Sequence, residues 1–149
     1  MRIDIRAALP GERAELEDLQ RRASLAIERY RADLEQHPEA IQLPLAQILE
    51  RRVHVAVMAG RIVGFSAILP KADHQFDLDG LFVEPAQWRN GIGRELICDA
   101  LECARTHGVT AIDVLANPSA EIFYEKQGFR EIGWAETQFG PARIMRRLL

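Results

Sequence analysis

The stretch from Gly80 to Leu96 constrains this chain more than any other. The apolar residues Leu81, Phe82 and Val83 read as the end of a strand. They run into a loop crowded with amide, basic and glycine residues: Gln87, Trp88, Arg89, Asn90 and Gly91. A helix begins directly on Gly91-Ile92-Gly93, with Arg94 just inside it. Glycines let the main chain come close to an oxyanion, and the free N–H groups of a helix start point at it. The layout is that of a loop that binds phosphate through its backbone, and a pyrophosphate-bearing cofactor is the first expectation. The loop is not a Walker loop, because no Gly-Lys-Ser/Thr follows. It is not a dinucleotide fingerprint either, which needs Gly-x-Gly-x-x-Gly. A tight turn for close helix–sheet packing is the plain alternative.

The rest of the chain supplies an α/β frame for this loop. Ile3 and Ile5 alternate with Arg2, Asp4 and Arg6, which predicts a strand over 2–8. Helix follows from about Glu12, with Leu16, Leu19 and Ala23 on one face, and continues past a bend to Gln36. His37-Pro38 breaks it, and Pro44 restarts a short piece over 45–51. Residues 53–58 and 62–69 read as a hairpin about Ala59-Gly60, with a loop at 70–74 and a third strand at 75–83. Helix to about His107, strand at 109–115, short helix at 119–127, and strands at 129–134 and 144–148 complete the order. Hairpins mixed with crossovers predict a mixed central sheet of about seven strands, with helices on both faces and the whole chain forming one domain.

Charge and composition narrow the function classes. The formal net charge of −3 argues against a nucleic-acid partner, which needs a basic surface. No apolar run reaches the roughly 20 residues of a spanning helix, and a cytoplasmic, non-membrane protein is expected. Cys98 and Cys103 lie five apart on one helix, diverge, and do not bridge. No full set of metal ligands stands beside them, so no metal is expected.

A second motif gives the loop its context. Asn117, Ala120, Tyr124, Gly128 and Phe129 fall in one strand-end, short-helix unit about 30 residues after the loop. The pair resembles the GNAT superfamily of acetyl-CoA-dependent N-acetyltransferases. That family's loop pattern, Gln/Arg-x-x-Gly-x-Gly/Ala, falls on residues 88–93, and its later Asn-x-x-Ala-x-x-x-Tyr-x-x-x-Gly-Phe falls on 117–129. The lead-in from Asp77 to Val83 is similar to the family's Glu-Leu-x-x-Leu-Phe/Tyr-Val. The resemblance runs from about residue 52 to the C-terminus. It implies the GNAT acyltransferase fold, acetyl-CoA as co-substrate, an amine acceptor on a small molecule or protein, and a homodimer by family habit. It also implies that Leu81, Phe82, Val83, Trp88, Arg89, Asn90, Gly91, Ile92, Gly93, Arg94, Asn117 and Tyr124 bind the coenzyme.

Three departures stand out. Trp88 replaces the usual Gln or Arg, Arg89 stands where many members have Gly, and Asp77 is one methylene shorter than the usual Glu. Backbone N–H groups carry most of the anion contact, and Arg89 or Arg94 can add charge.

The residues allow a mechanism. An alkyl ammonium has a pKa near ~10.4 and must lose a proton before it attacks a thioester. Asp77 and Asp79 lie two apart on a strand and face one way, so either can take that proton, directly or through water, with mutual repulsion raising one of them. Ion pairing or loop capping is the structural alternative for both. By the resemblance, a main-chain N–H near Val83 stabilises the oxyanion and Tyr124 protonates the leaving thiolate. Asn117 either contacts the pantetheine arm or caps a helix.

The acceptor is shaped in the family by the first helices and the last hairpin loop, here 12–51 and 134–142. Glu28, Arg29, Arg31, Asp33, Glu35, Glu136, Gln138 and Arg143 mix both signs, and Trp134 and Phe139 are candidate walls. A catalytically weak acyl-CoA sensor and a tRNA-acetylating toxin of the same fold are the alternatives. Tyr124 and the Asp77/Asp79 face favour the enzyme over the first, and the negative charge disfavours the second.

Overall fold

The computed structural model describes residues 2–72, 74–138 and 140–149, apart from the side chains of 28–30. Its strands are β1 (Ile3–Ala7), β2 (Val53–Met58), β3 (Arg61–Ala72), β4 (Gln75–Val83), β5 (Ala111–Ala116), β6 (Arg130–Thr137) and β7 (Gly140–Leu148). Its α-helices are α1 (Arg13–Leu25), α2 (Glu28–Gln36), α3 (Leu45–Leu49), α4 (Ile92–Thr106) and α5 (Glu121–Lys126). The seven strands form one mixed sheet in the order β1-β2-β3-β4-β5-β7-β6. β1–β2 and β2–β3 pair antiparallel, β4–β5 parallel, and β5–β7 and β7–β6 antiparallel. The expected α/β sheet with flanking helices is the observed one.

Chain contacts divide the protein into two compact units: Met1–Ala67 with Gly80–Leu96, and Ile68–Asp79 with Ile97–Leu149. In the first, β2 sends alternate side chains to opposite faces. Val53 and Val55 join Leu16, Leu19, Leu43, Ile48 and Phe65 in one buried cluster. Ala56 joins Val63, Ile92 and Leu96 in another. Gly64 makes the second cluster possible. A Cβ added there would lie 3.0 Å from the Phe82 carbonyl oxygen, 3.1 Å from Ile92 Cγ2 and 3.2 Å from Leu96 Cδ1. The start of α4 therefore packs tightly over β3 and β4. Gly64→Ala is expected to destabilise the protein by about 1–3 kcal/mol through overpacking. A urea melt checks this, and an unchanged midpoint would show that α4 can retreat freely.

In the second unit, Ile112, Phe129 and Met145 are fully buried, and Phe76 packs against His107 with ring centroids 6.0 Å apart. Gly128 ends α5 at φ 90°, a left-handed helix stop.

Two expected loops are sheet instead. β3 does not end at Leu69 but carries on through Pro70, Lys71 and Ala72. Its ladder with β2 ends at Val53↔Ala67, so the missing N–H of Pro70 breaks no bond to β2. The last hairpin is also longer than the separate strands predicted, since β6 and β7 stay paired as far as Thr137↔Gly140. The helical stretch is interrupted between Leu25 and Glu28, where the backbone of Ile27 is extended (φ −91°, ψ 104°).

Candidate active site

In the first unit, the phosphate-loop candidate is a short 3-10 turn (Pro85–Gln87) followed by the start of α4. Arg89 and Gly91 both take the left-handed region, at φ 70° and 81°. The glycine that many relatives of the motif carry at Arg89 fits that conformation, and a side chain there is strained by roughly 1–2 kcal/mol. Glu95 N–H closes the first helical turn on the Gly91 carbonyl at 3.0 Å. The N–H groups of Ile92, Gly93 and Arg94 have no carbonyl behind them in the helix to bond. These are the donors that an anion at this helix start would meet. Asn90 is occupied locally, its Nδ2 donating to Gln87 Oε1 at 2.8 Å. Arg89 and Arg94 are exposed.

Trp88 shows what replaces the usual side-chain contact. Its indole Nε1 donates to the Val83 carbonyl at 2.8 Å. Glu84 N–H donates to the Val63 carbonyl at 2.8 Å, and the Glu84 carboxylate takes a three-contact grip from Arg22 at 2.7–3.2 Å. The Arg22 hydrogen bonds hold the Glu84 carboxyl below its usual range. The peptide at the end of β4 is thus fixed on its carbonyl, its following N–H and its following side chain. Leu81 and Val83 pack toward Ile92 and Leu96, while Phe82 turns the other way to Phe65, ring centroids 5.3 Å apart. The sequence did not single out Arg22 or Glu84.

In the second unit, Asp77 is half-buried and Asp79 exposed. Asp77 lies opposite Asp113, and Asp113 opposite Arg146. Asp113 is 2% exposed. Arg146 grips it with Nε at 2.7 Å and Nη2 at 3.0 Å, and Lys71 Nζ donates to it at 2.6 Å. Lys71 Nζ also stands 3.7 Å from Asp77 Oδ1. Burial raises the Asp77 carboxyl above its usual range; Lys71 opposes this, and the charges of Asp113 and Asp79 add to it. Repulsion by Asp79, expected as the cause, is a smaller contributor than burial. Burial also pushes on Asp113 most strongly, yet the hydrogen bonds from Arg146 and Lys71 win and leave it lowered. Lys71, Asp113 and Arg146 were missed by the sequence reading. The one available signal was a lone carboxylate inside the apolar run 111–116.

Tyr124 is buried, with edge-on contacts to Phe123 and Phe129 at 5.2 and 5.5 Å between centroids. Burial pushes its phenol well above the usual range, so it stays protonated at any physiological pH. Asn117 is the turn residue before α5: its Oδ1 accepts from Ser119 N–H at 3.0 Å and from the Ser119 hydroxyl. This is a local turn bond rather than a helix cap: Ala120 is the N-cap of α5, and no side chain caps it. Trp134 is exposed, with the Arg143 guanidinium 6.0 Å from its ring, and Arg143 also pairs with Glu121, Glu125 and Glu131. Phe139 and the side chains of Glu28 and Arg29 lie outside the described residues. Among the described residues no helix is long and apolar enough to cross a membrane.

The family profile described as "Acetyltransferase (GNAT) domain" matches residues 50–131. The chain belongs to this acetyltransferase family. No curated protein matches its sequence. Among solved structures it is similar to the PaiA N-acetyltransferase of Thermoplasma acidophilum in complex with coenzyme A, at TM-score 0.76 and 18% identity, covering 100% of both chains. It is also similar to the ribosomal-protein-S18-alanine N-acetyltransferase of Escherichia coli, at TM-score 0.73 and 19% identity, covering 99% of this chain and 94% of that one. An aminoglycoside 6'-N-acetyltransferase complexed with coenzyme A gives TM-score 0.73 at 19% identity, covering 99% and 97%. At these identities the likeness is one of fold.

Proposed function

We propose that this GNAT acetyltransferase is a single catalytic domain that moves an acetyl group from acetyl-CoA to a primary amine of a small molecule or protein, by direct attack in a ternary complex. The observation that carries the reading is the helix start at Ile92, whose first N–H groups lack a carbonyl of their own helix and follow a left-handed Gly91. Two neighbours of the same fold are described with coenzyme A, which supports the same ligand here. Ile92, Gly93 and Arg94 would receive the pyrophosphate, with Arg89 and Arg94 adding charge. Leu81, Phe82 and Val83 would run beside the pantetheine arm.

In the reaction, Asp77 takes the proton of the acceptor ammonium, with Asp79 or a bridging water as the alternative route. The freed amine attacks the thioester carbonyl, forming the C–N bond. A main-chain N–H near Val83 holds the oxyanion. The C–S bond then breaks, the sulfur carries the charge, and the second proton lost from the nitrogen of the adduct ends on that sulfur to give the free thiol. Tyr124 donates a hydrogen bond to that sulfur. Its raised pKa makes full transfer uphill, so the phenol stabilises the developing thiolate more than it discharges it. Asn117 retains its amide nitrogen as a donor for the pantetheine arm. Cytoplasm is the proposed compartment, where Cys98 and Cys103, both free, stay reduced.

A thiol-release screen of amines with acetyl-CoA tests the reading. At least one amine should give saturable thiol release that needs the protein. No release with any amine, despite coenzyme binding, would favour the sensor alternative. Trp88→Phe is a finer test. It keeps the ring and removes one hydrogen bond worth about 1 kcal/mol, so KM for acetyl-CoA should rise about fivefold while kcat changes less. An unchanged KM would detach Trp88 from the coenzyme site.

A further inference from the structure

A row of charges crosses four strands of the second unit, and the reaction as proposed uses only one member of it, Asp77. Lys71 is on β3, Asp77 on β4, Asp113 on β5 and Arg146 on β7. Register places Asp77 opposite Asp113 and Asp113 opposite Arg146. Asp113 is the anchor, since it is buried and held at 2.6–3.0 Å by both cations. Lys71 is the bridge. Its side chain, 39% exposed, reaches over to Asp113 and stops 3.7 Å short of Asp77.

We propose that Lys71, held in place by Asp113, is a positioning residue that sets the orientation and charge of Asp77. The inference rests on the reading of Asp77 as the base. Asp77 faces one cation, Lys71, and two carboxylates, Asp79 on its own strand and Asp113 on β5; Arg146 acts on it through Asp113. Three carboxylates share two cations, leaving this row one negative charge in excess. Because Asp113 takes the shortest contact with Lys71 and both of the contacts from Arg146, the excess falls on Asp77 and Asp79. A carboxylate with only a share of a cation can accept a proton from an ammonium. One that owned the cation outright would be held in its ionised form. Asp113 thus draws Lys71 away from Asp77 while keeping it close enough to steer.

Carbon-13 carboxyl NMR titration of the protein without coenzyme tests this, using wild type, Lys71→Met, Lys71→Arg and Asp113→Asn. Loss of the cation in Lys71→Met should move the Asp77 midpoint up by about one pH unit, the low end for a nearby charge at a half-exposed site. Lys71→Arg should restore it. Asp113→Asn should move it the opposite way, since a competing carboxylate is gone and Lys71 is free to pair with Asp77. Wild-type amide spectra confirm folding, and Lys71→Met decides alone if Asp113→Asn does not fold. An Asp77 midpoint that stays put in folded Lys71→Met overturns the proposal. The same variants in the thiol-release assay separate the two readings. If the carboxyl midpoint moves and the acid limb of kcat/KM does not, Lys71 steers Asp77 as proposed, and it is the assignment of Asp77 as base that fails.

Discussion

Tyr124→Phe should lower kcat by about a hundredfold or more, the ordinary range for losing one hydrogen-bond donor to developing charge, and leave coenzyme affinity nearly unchanged. The substitution removes one oxygen from a ring whose packing against Phe123 and Phe129 is apolar and edge-on. The fold should therefore survive. In the ground state the thioester sulfur is a weak acceptor, so the phenol contributes little to binding. It matters when the C–S bond breaks and charge gathers on sulfur in a dry site. An effect confined to kcat is the signature of an interaction made in the transition state. The high pKa adds a second expectation: no basic limb in the pH–rate profile up to about pH 10 should belong to Tyr124. Steady-state kinetics with a fixed amine check both points. Equal kcat in the mutant would remove Tyr124 from the chemistry.

Arg146→Leu should destabilise the protein by about 3 kcal/mol, the lower end for breaking a buried pair, because Lys71 remains on Asp113. For a chain of this length that is a fall in Tm of about 6–12 °C. The pH dependence has a definite sign. Asp113 titrates lower in the folded protein than its ordinary value. Its pairing therefore adds stability that is complete above the unfolded carboxyl pKa of about 3.9 and vanishes as pH falls through the folded value. Wild type and mutant should differ most near neutrality and converge as pH falls through the lowered folded value of Asp113, where the carboxyl becomes protonated in folded and unfolded chains alike. Urea melts at several pH values test this, and a constant difference across them would show that the charge pair is not its source.

The sequence exposed the parts of this protein that depend on local chemistry. Gly91-Ile92-Gly93 announced a helix start because only backbone conformation and free N–H groups were needed to read it. The short helix with Tyr124 and the Gly128 stop was legible for the same reason. The two sheet extensions were hidden because proline suggests a break. Pro70 lies beyond the residues of β3 paired with β2, and Pro141 lies on β7 beyond its last pairing with β5 at Ala116↔Arg143. At both places the absent N–H is tolerated. Missing the first of them put Lys71 in a loop and concealed the charged row. Asp113 was visible as a carboxylate in an apolar strand, yet its partners come from 42 residues before it and 33 after it, and no local pattern encodes such a pairing. Trp88 was read as a departure from a motif. The structure gives it a partner of its own in the Val83 carbonyl.

The central claim is that the start of α4 holds the pyrophosphate of coenzyme A. Calorimetric titration with coenzyme A, alongside pantetheine, which lacks the pyrophosphate and nucleotide, tests it most directly. The account predicts saturable binding of one coenzyme A per chain and binding of pantetheine weaker by at least a hundredfold. Equal affinities, or no saturable heat with coenzyme A, would contradict it.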